Sequence, residues 1–384
     1  MVYSYSAFTS EIDDVELAVT EILAQLQPEK NCLKSTAAVV ACYHEFATNG
    51  MVSELYKRLK FPIIGTTSTS ISANSGYGQL VFSILMMTSD DAVFTAACSG
   101  PLTDGLNEPF TRMYSDALIG HEDAPKLILS AAPLMLNYAG DNYVAALDKI
   151  TGGIPNFGTL AIDNSLDYSN SYVMYNDITA RDVYGIIVVS GNVSPKFLYA
   201  SFSPEYILGQ TATITKSEGN LIKEIDGAPI VEYLEKMGLA DNGKAIDVIH
   251  SMPFILDYAG EGVPVSRVLL SWSADGFGIC GGLMPENTRF SLGIWNKSDV
   301  LKTTVQTIKN ILKNENSNTL LLYSCLARIY SLGADIMAET ETVNETAAGR
   351  VPYLFAYSGG EICPVKNKTN SNSFHNNTVI ACAF

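Results

Sequence analysis

The sequence predicts an α/β protein of mixed β-sheets flanked by helices, in two similar halves, each built of two β-α-β-α-β-β units. Three observations carry this. Strand-like runs at residues 2–8, 93–98, 197–202 and 289–294 are each followed by a helical pattern. Second strands at 37–43, 126–132 and 319–325 are nearly continuous apolar runs, as expected of strands covered on both faces. A short helical stretch and a proline follow each of these, at Pro62, Pro155 and Pro352, and Pro264 holds the corresponding place in the third unit. Paired strands come next, for example 63–71 and 79–87, and helices packed on mixed sheets are the expected architecture.

The elements can be justified in order. After the first strand, Ser10 suits an N-cap, and Glu11, Asp13 and Asp14 suit the positive end of a helix. Ile12, Val15, Val19, Ile22 and Leu26 then recur at steps of three and four, the spacing of one buried stripe. Leu106, Phe110, Met113 and Ala117 repeat the pattern in the second unit, and Leu301, Val305, Ile308 and Leu312 in the fourth. In the third unit a hairpin, 211–216 and 221–225, precedes the turn Asp226-Gly227 and a first-turn Pro229. The helix opened there points Ile230, Leu234 and Met237 inward.

With 384 residues, 47% hydrophobic and 17% charged, the chain can bury a large core, which excludes disorder. Lys+Arg 24 against Asp+Glu 40 gives a net charge of -16, which argues against nucleic-acid and anionic-membrane partners. No run approaches the roughly 20 apolar residues that span a bilayer. The N-terminus lacks a basic segment before its apolar stretch and reads as a strand, not a secretion signal. Seven scattered cysteines, none in a C-x-x-C pair, suit reduced thiols in a cytoplasm. The sequons at 192–194 and 367–369 then have no role.

Common catalytic motifs fail. Gly276-Phe277-Gly278-Ile279-Cys280-Gly281 fits G-x-G-x-x-G, but Gly282, Pro285 and Asn287 follow where a dinucleotide site needs a helix. It reads as a glycine-rich hairpin. No phosphate loop, zincin or G-x-S-x-G motif is present. The histidines, His44, His121, His250 and His375, are dispersed, so no metal site is expected. Haem needs only one axial histidine and an apolar pocket and stays open.

Two stretches stand out. Arg328 is one of few arginines and follows the buried strand at 319–325. Ligands of α/β sheets bind outside the carboxyl ends of strands, so Ser324, Cys325 and Arg328 would face such a crevice, with the guanidinium suited to a carboxylate. The alternative is an ion pair of Arg328 with Asp335 or Glu339. In the second stretch, Gly359 and Gly360 end an apolar strand, where they allow close approach or a sharp turn. Glu361 beside them is costly to bury unless paired or bound to a cation or amine; the alternative is an exposed hairpin corner. His375 and Asn376, which precede the last strand, are further candidate ligand contacts, and could equally cap a turn.

Tyr323-Ser324-Cys325-Leu326-Ala327-Arg328, Gly359-Gly360-Glu361-Ile362 and His375-Asn376-Asn377-Thr378 together resemble the C-terminal half of the FIST family. The hairpin from Gly209-Gln210-Thr211 to Asp226-Gly227-Ala228-Pro229 resembles its junction segment, and Pro62-Ile63-Ile64-Gly65-Thr66-Thr67-Ser68 its N-terminal half. Ser70-Ile71 stands where family members usually carry a Gly-Glu pair. The resemblance implies a FIST N-like domain at 1–196 and a FIST C-like domain at 197–384. It also implies an intracellular sensory module for small molecules such as amino acids, signalling through a partner in trans.

The leading expectation is a non-enzymatic sensor without a cofactor. In it Arg328 takes the carboxylate of a small zwitterion and Glu361 its ammonium, while Ser324 and the Gly359-Gly360 backbone add hydrogen bonds. Two alternatives accompany it: a haem nitric-oxide sensor with His250 or His375 as axial ligand, and a cysteine-dependent enzyme pairing Cys325 with His375.

Overall fold

The computed structural model describes the chain apart from residues 166, 202, 242–243, 246–248, 250, 258–264, 295, 314–316 and 366–371. Pro264, His250 and the 367–369 sequon therefore lie outside the described residues. Strand Val2–Thr9 leads into helix Val15–Leu26, which buries Ala18, Val19, Ile22 and Leu26 on one stripe. Its N-cap is Asp14, whose side chain accepts from the Leu17 amide, and not the expected Ser10. The three residues after Ser10 are spent on a bend in which Glu11 accepts from the Asp13 and Asp14 amides.

Among the described residues, three units share one strand order. In the first it is Val2–Thr9, Phe82–Ser89, Ser35–Cys42 and Ile63–Thr67, with the last two parallel and the rest antiparallel. The second repeats it with Ala92–Cys98, Gly185–Gly191, Leu127–Ala132 and Asn156–Leu160. The third uses Lys196–Ala200, Val379–Ala383, Leu320–Cys325 and Tyr353–Ser358. Helices cover the outer face of each sheet, and the inner faces share one core containing Leu85, Leu129, Ile187, Tyr323 and Ile380.

A short hairpin from each unit completes a neighbour's sheet. Ile71–Ala73 and Gly76–Gly78 of the first extend the third, beside Tyr353–Ser358. Val173–Tyr175 and Ile178–Ala180 of the second extend the first. Glu361–Pro364 and Asn372–His375 of the third extend the second. Strands from both sides of residue 197 thus share sheets.

The mixed α/β class with helix-flanked sheets is as the sequence predicts, but the count of units changes. The run at 289–294 does not open a fourth unit: strand Thr288–Gly293 belongs to a separate eight-stranded sheet between Ile207 and Gly293. That sheet is inserted between the first strand of the third unit and its first helix, Lys297–Ile311. Nothing in local periodicity says that Lys196–Ala200 skips a whole module to pair with Val379–Ala383. The glycine-rich run lies inside the insert as strand Gly278–Cys280, paired with Leu269–Trp272. Its glycines permit close packing, since a Cβ at Gly278 would meet Ile230 and Leu269 at 2.7 Å.

The insert is fastened to the body by Arg267, which is 2% exposed. Its Nη2 donates to Asp141 at 2.7 Å, and Nη1 to the carbonyls of Ser266 and Phe374. The Leu283 amide donates to the other Asp141 oxygen, and the Gly140 amide to the Gly281 carbonyl.

Candidate ligand-binding site

The parallel strands of the second and third units end at Ala132, Leu160, Cys325 and Ser358. Just beyond these ends lies a small cavity, about 20 Å³, lined by Leu134, Ile162, Cys325, Ala327, Ser358 and Gly359. Val268 and Leu270 of the insert, with Tyr168, Leu326, Tyr330 and Asn376, complete the wall. That volume holds about one water. Outside it, an open cleft of about 560 Å³ shares Leu134 and Tyr168 with the cavity and carries Arg181, Asp167 and Asp182.

Strand alternation decides what faces the cavity. Ser324 and Cys325 are neighbours, so their side chains leave the sheet on opposite faces. Cys325 turns toward Val268 and Ala327. Burial pushes its thiol well above the ordinary value, and Glu361's charge adds to this, while the amides of Asn377 and Ala327 pull the other way. Ser324 turns to the helix layer, where its hydroxyl donates to Glu339 at 3.1 Å.

Arg328 goes to the same layer and not to the crevice. It is 0% exposed, and its Nη2 lies 2.8 Å from Glu339 Oε1. The same nitrogen donates to the Val300 carbonyl and to the hydroxyls of Thr303 and Thr304. Glu339 also accepts from Thr304, Ser324 and the Tyr357 hydroxyl. Of the two sequence readings of Arg328, the ion pair with Glu339 is the one adopted. A ligand carboxylate would have to displace Glu339 from its buried pairing with Arg328, so the pairing of Arg328 with Glu361 around a zwitterion does not stand.

Glu361 is also 0% exposed, and so not the exposed corner that the alternative reading allowed. Thr378 donates to Oε2 at 2.6 Å, and Oε1 has no hydrogen-bond partner among the described residues. Burial pushes the carboxyl up to about 8, against the Thr378 hydroxyl, the Arg328 charge and the Cys325 thiol, which pull it down. Glu361 sits behind Cys325 and does not line the cavity.

The turn before Glu361 carries the chain from the third unit's sheet to the second's. Gly359 donates to the Leu160 carbonyl, and Leu160 to that of Gly360. Gly360's amide donates to the Ser358 hydroxyl, so it is not available to a ligand. A Cβ on Gly360 would stand 2.2 Å from the Phe374 ring.

Asn376, one of the candidate ligand contacts in the sequence, lies on the cavity wall. It is 1% exposed, yet among the described residues neither its amide nitrogen nor its oxygen has a partner. A buried amide left unmet costs about 1–3 kcal/mol, so its place on the cavity wall calls for a ligand or water. The glycines at 281 and 360 leave it room, since a Cβ at either would approach it to 3.0–3.1 Å.

His375 is not part of this site. It opposes Glu361 in the strand pair, but its ring lies 5.0 Å from that of Tyr199 and its Nε2 faces the Cys363 carbonyl at 3.3 Å. Burial pushes it down to about 4. A ring packed and hydrogen-bonded in this way does not fit an axial haem ligand, and His250 lies outside the described residues. Leu134, Ile162 and Tyr168 were invisible to sequence reasoning, because the fold alone brings them to residues 325 and 376. Arg267 and Asp141 left one usable signal, an arginine inside the apolar run 265–270.

Comparison with solved structures finds cyanuric acid hydrolase from A. caulinodans, at 9% identity and a TM-score of 0.37, covering 100% of this chain and 99% of that one. Phosphoribosylformylglycinamidine synthase II from Thermotoga maritima follows at 10% identity and a TM-score of 0.20, covering 99% and 72%. Neither likeness is close enough to carry chemistry across. A comparison with curated proteins finds no match. The FIST N domain model matches residues 36–228 and the FIST C domain model residues 231–364, so the two meet inside the insert. Matched over nearly its whole length, the chain belongs to the FIST family.

Proposed function

We propose that this protein is a non-enzymatic sensor that binds a small molecule at the strand ends of its second and third units and signals through a separate partner protein. FIST domains are associated with sensory small-ligand binding and signal transduction. The observation that carries the reading is Asn376, a buried amide on the wall of a cavity with no partner among the described residues. An amino acid is the first ligand class to try, with its charged head at the cleft lined by Arg181, Asp167 and Asp182. The insert is the natural reporter, since Val268 and Leu270 touch the cavity while Arg267 clamps the body.

Nucleophilic catalysis has less support. Burial keeps the Cys325 thiol protonated and the His375 imidazole neutral, the opposite of the ionised pair such chemistry needs. Isothermal titration with a panel of amino acids tests the proposal. Saturable binding by at least one member, lost in a folded Asn376→Leu variant, is expected. Binding that survives this substitution, or none across the panel, removes the proposal.

A further inference from the structure

The walls of the inner cavity are mainly aliphatic, at Leu134, Ile162, Val268, Leu270 and Leu326. No Lys, Arg, Asp or Glu is among the described residues that line it. Against this apolar surface stands the buried Asn376 amide, without a hydrogen-bond partner among the described residues and able to donate two bonds and accept two.

We infer that the inner compartment takes an uncharged, mainly aliphatic group bearing a single amide, carbonyl or hydroxyl, which pairs with Asn376 after passing Tyr168 and Leu134. This rests on the sensor reading for its biological use and names the chemistry of the same site. Aliphatic groups gain free energy with the area they bury there. An ammonium or carboxylate would lose its hydration and meet no counter-charge, far more than one amide can return. Charge is confined to the outer cleft, at Arg181, Asp167 and Asp182.

Size requires the entrance to move. The cavity of about 20 Å³ has room for about one water, while the cleft beyond Leu134 and Tyr168 measures about 560 Å³. Displacing those two side chains joins the volumes. Tyr168 holds a φ of 54°, an uncommon left-handed conformation for an aromatic residue. Strain of this kind gathers at ligand clamps and switch segments.

Three similarly shaped probes test the inference on the full chain: isobutyramide, isobutyrate and isobutylammonium, with dissociation constants from protein-observed NMR titration. Isobutyramide is expected to bind about tenfold or more tightly than either ion, and to weaken about tenfold in Asn376→Leu. Leu134→Trp, which fills the entrance without touching the amide, should weaken it similarly, and it carries the test if Asn376→Leu does not fold. Equal or tighter binding of an ion overturns the inference, as does isobutyramide that fails to bind, which leaves a water site only. The two readings fail separately. If no ligand ever alters a partner while isobutyramide still binds, the sensor reading falls. If an ion binds best through Asn376, only the uncharged class falls.

Discussion

Arg328 and Glu339 form an ion pair with no exposure on either side, Nη2 to Oε1 at 2.8 Å. The pair joins the end of strand Leu320–Cys325 to helices Lys297–Ile311 and Ala338–Ala347. Removing one partner strands a buried charge, so Arg328→Ala should destabilise the fold by about 3–5 kcal/mol. Replacing both by apolar residues, Arg328→Met with Glu339→Leu, should restore most of that. Urea denaturation of the single and double variants measures the difference. A single variant as stable as wild type would show that the network is not structural.

The titration of Glu361 gives the fold a pH dependence of known sign. Folded, it keeps its proton up to about 8, while its ordinary value is 4.5. Between those values the folded chain binds more protons than the unfolded one. Stability therefore falls as pH rises through this window, by up to about 1.4 kcal/mol per unit, and the loss is complete above it. Glu361→Gln is neutral in both states and removes this slope. Its advantage over wild type should grow from pH 5 to pH 8 in urea melts, and parallel profiles would refute the assignment.

Gly360 and Phe374 lock the turn that links two sheets. A Cβ at Gly360 would stand 2.2 Å from the ring, so Gly360→Ala should cost about 1–3 kcal/mol or more through overpacking. Phe374→Leu in the same chain should relieve part of that penalty. Thermal melts of the two single variants and the double variant read the coupling; strict additivity would mean that the ring is not the obstacle.

Cys325 should resist alkylation in the native protein. Its sulfur is buried and its thiol is pushed well above the ordinary value, whereas Cys32 and Cys98 are only partly buried. Iodoacetamide at neutral pH, followed by peptide mass analysis, should label Cys32 first, since burial also pushes the Cys98 thiol up, to about 12. Selective labelling of Cys325 would favour the cysteine-enzyme alternative over a sensor.

How far the sequence reaches depends on how local each signal is. The buried stripes of Val19, Ile22 and Leu26 and of Phe110, Met113 and Ala117 were legible because helical spacing is set by near neighbours. The apolar strands ending at Ala132 and Cys325 were legible for the same reason. Strand partners were not, since Lys196–Ala200 finds its neighbour at Val379–Ala383, far along the chain. At the site, sequence offered Arg328 either a ligand or Glu339, and only the placement of helix Ala338–Ala347 decides between them. Asn376 was legible as a candidate ligand contact but not apart from a turn former, because a short polar side chain looks the same whether it caps a turn or faces a void.

The exchange of hairpins around the three units closes the molecule like a ring of clasped hands. No unit holds a finished sheet until its neighbour has lent two strands, and Val379–Ala383, far along the chain from its partner Lys196–Ala200, is an inner strand of the third. Long stretches of the nascent chain must therefore wait with open sheet edges. Deleting strand Val379–Ala383 should behave like loss of the whole protein rather than of one lobe.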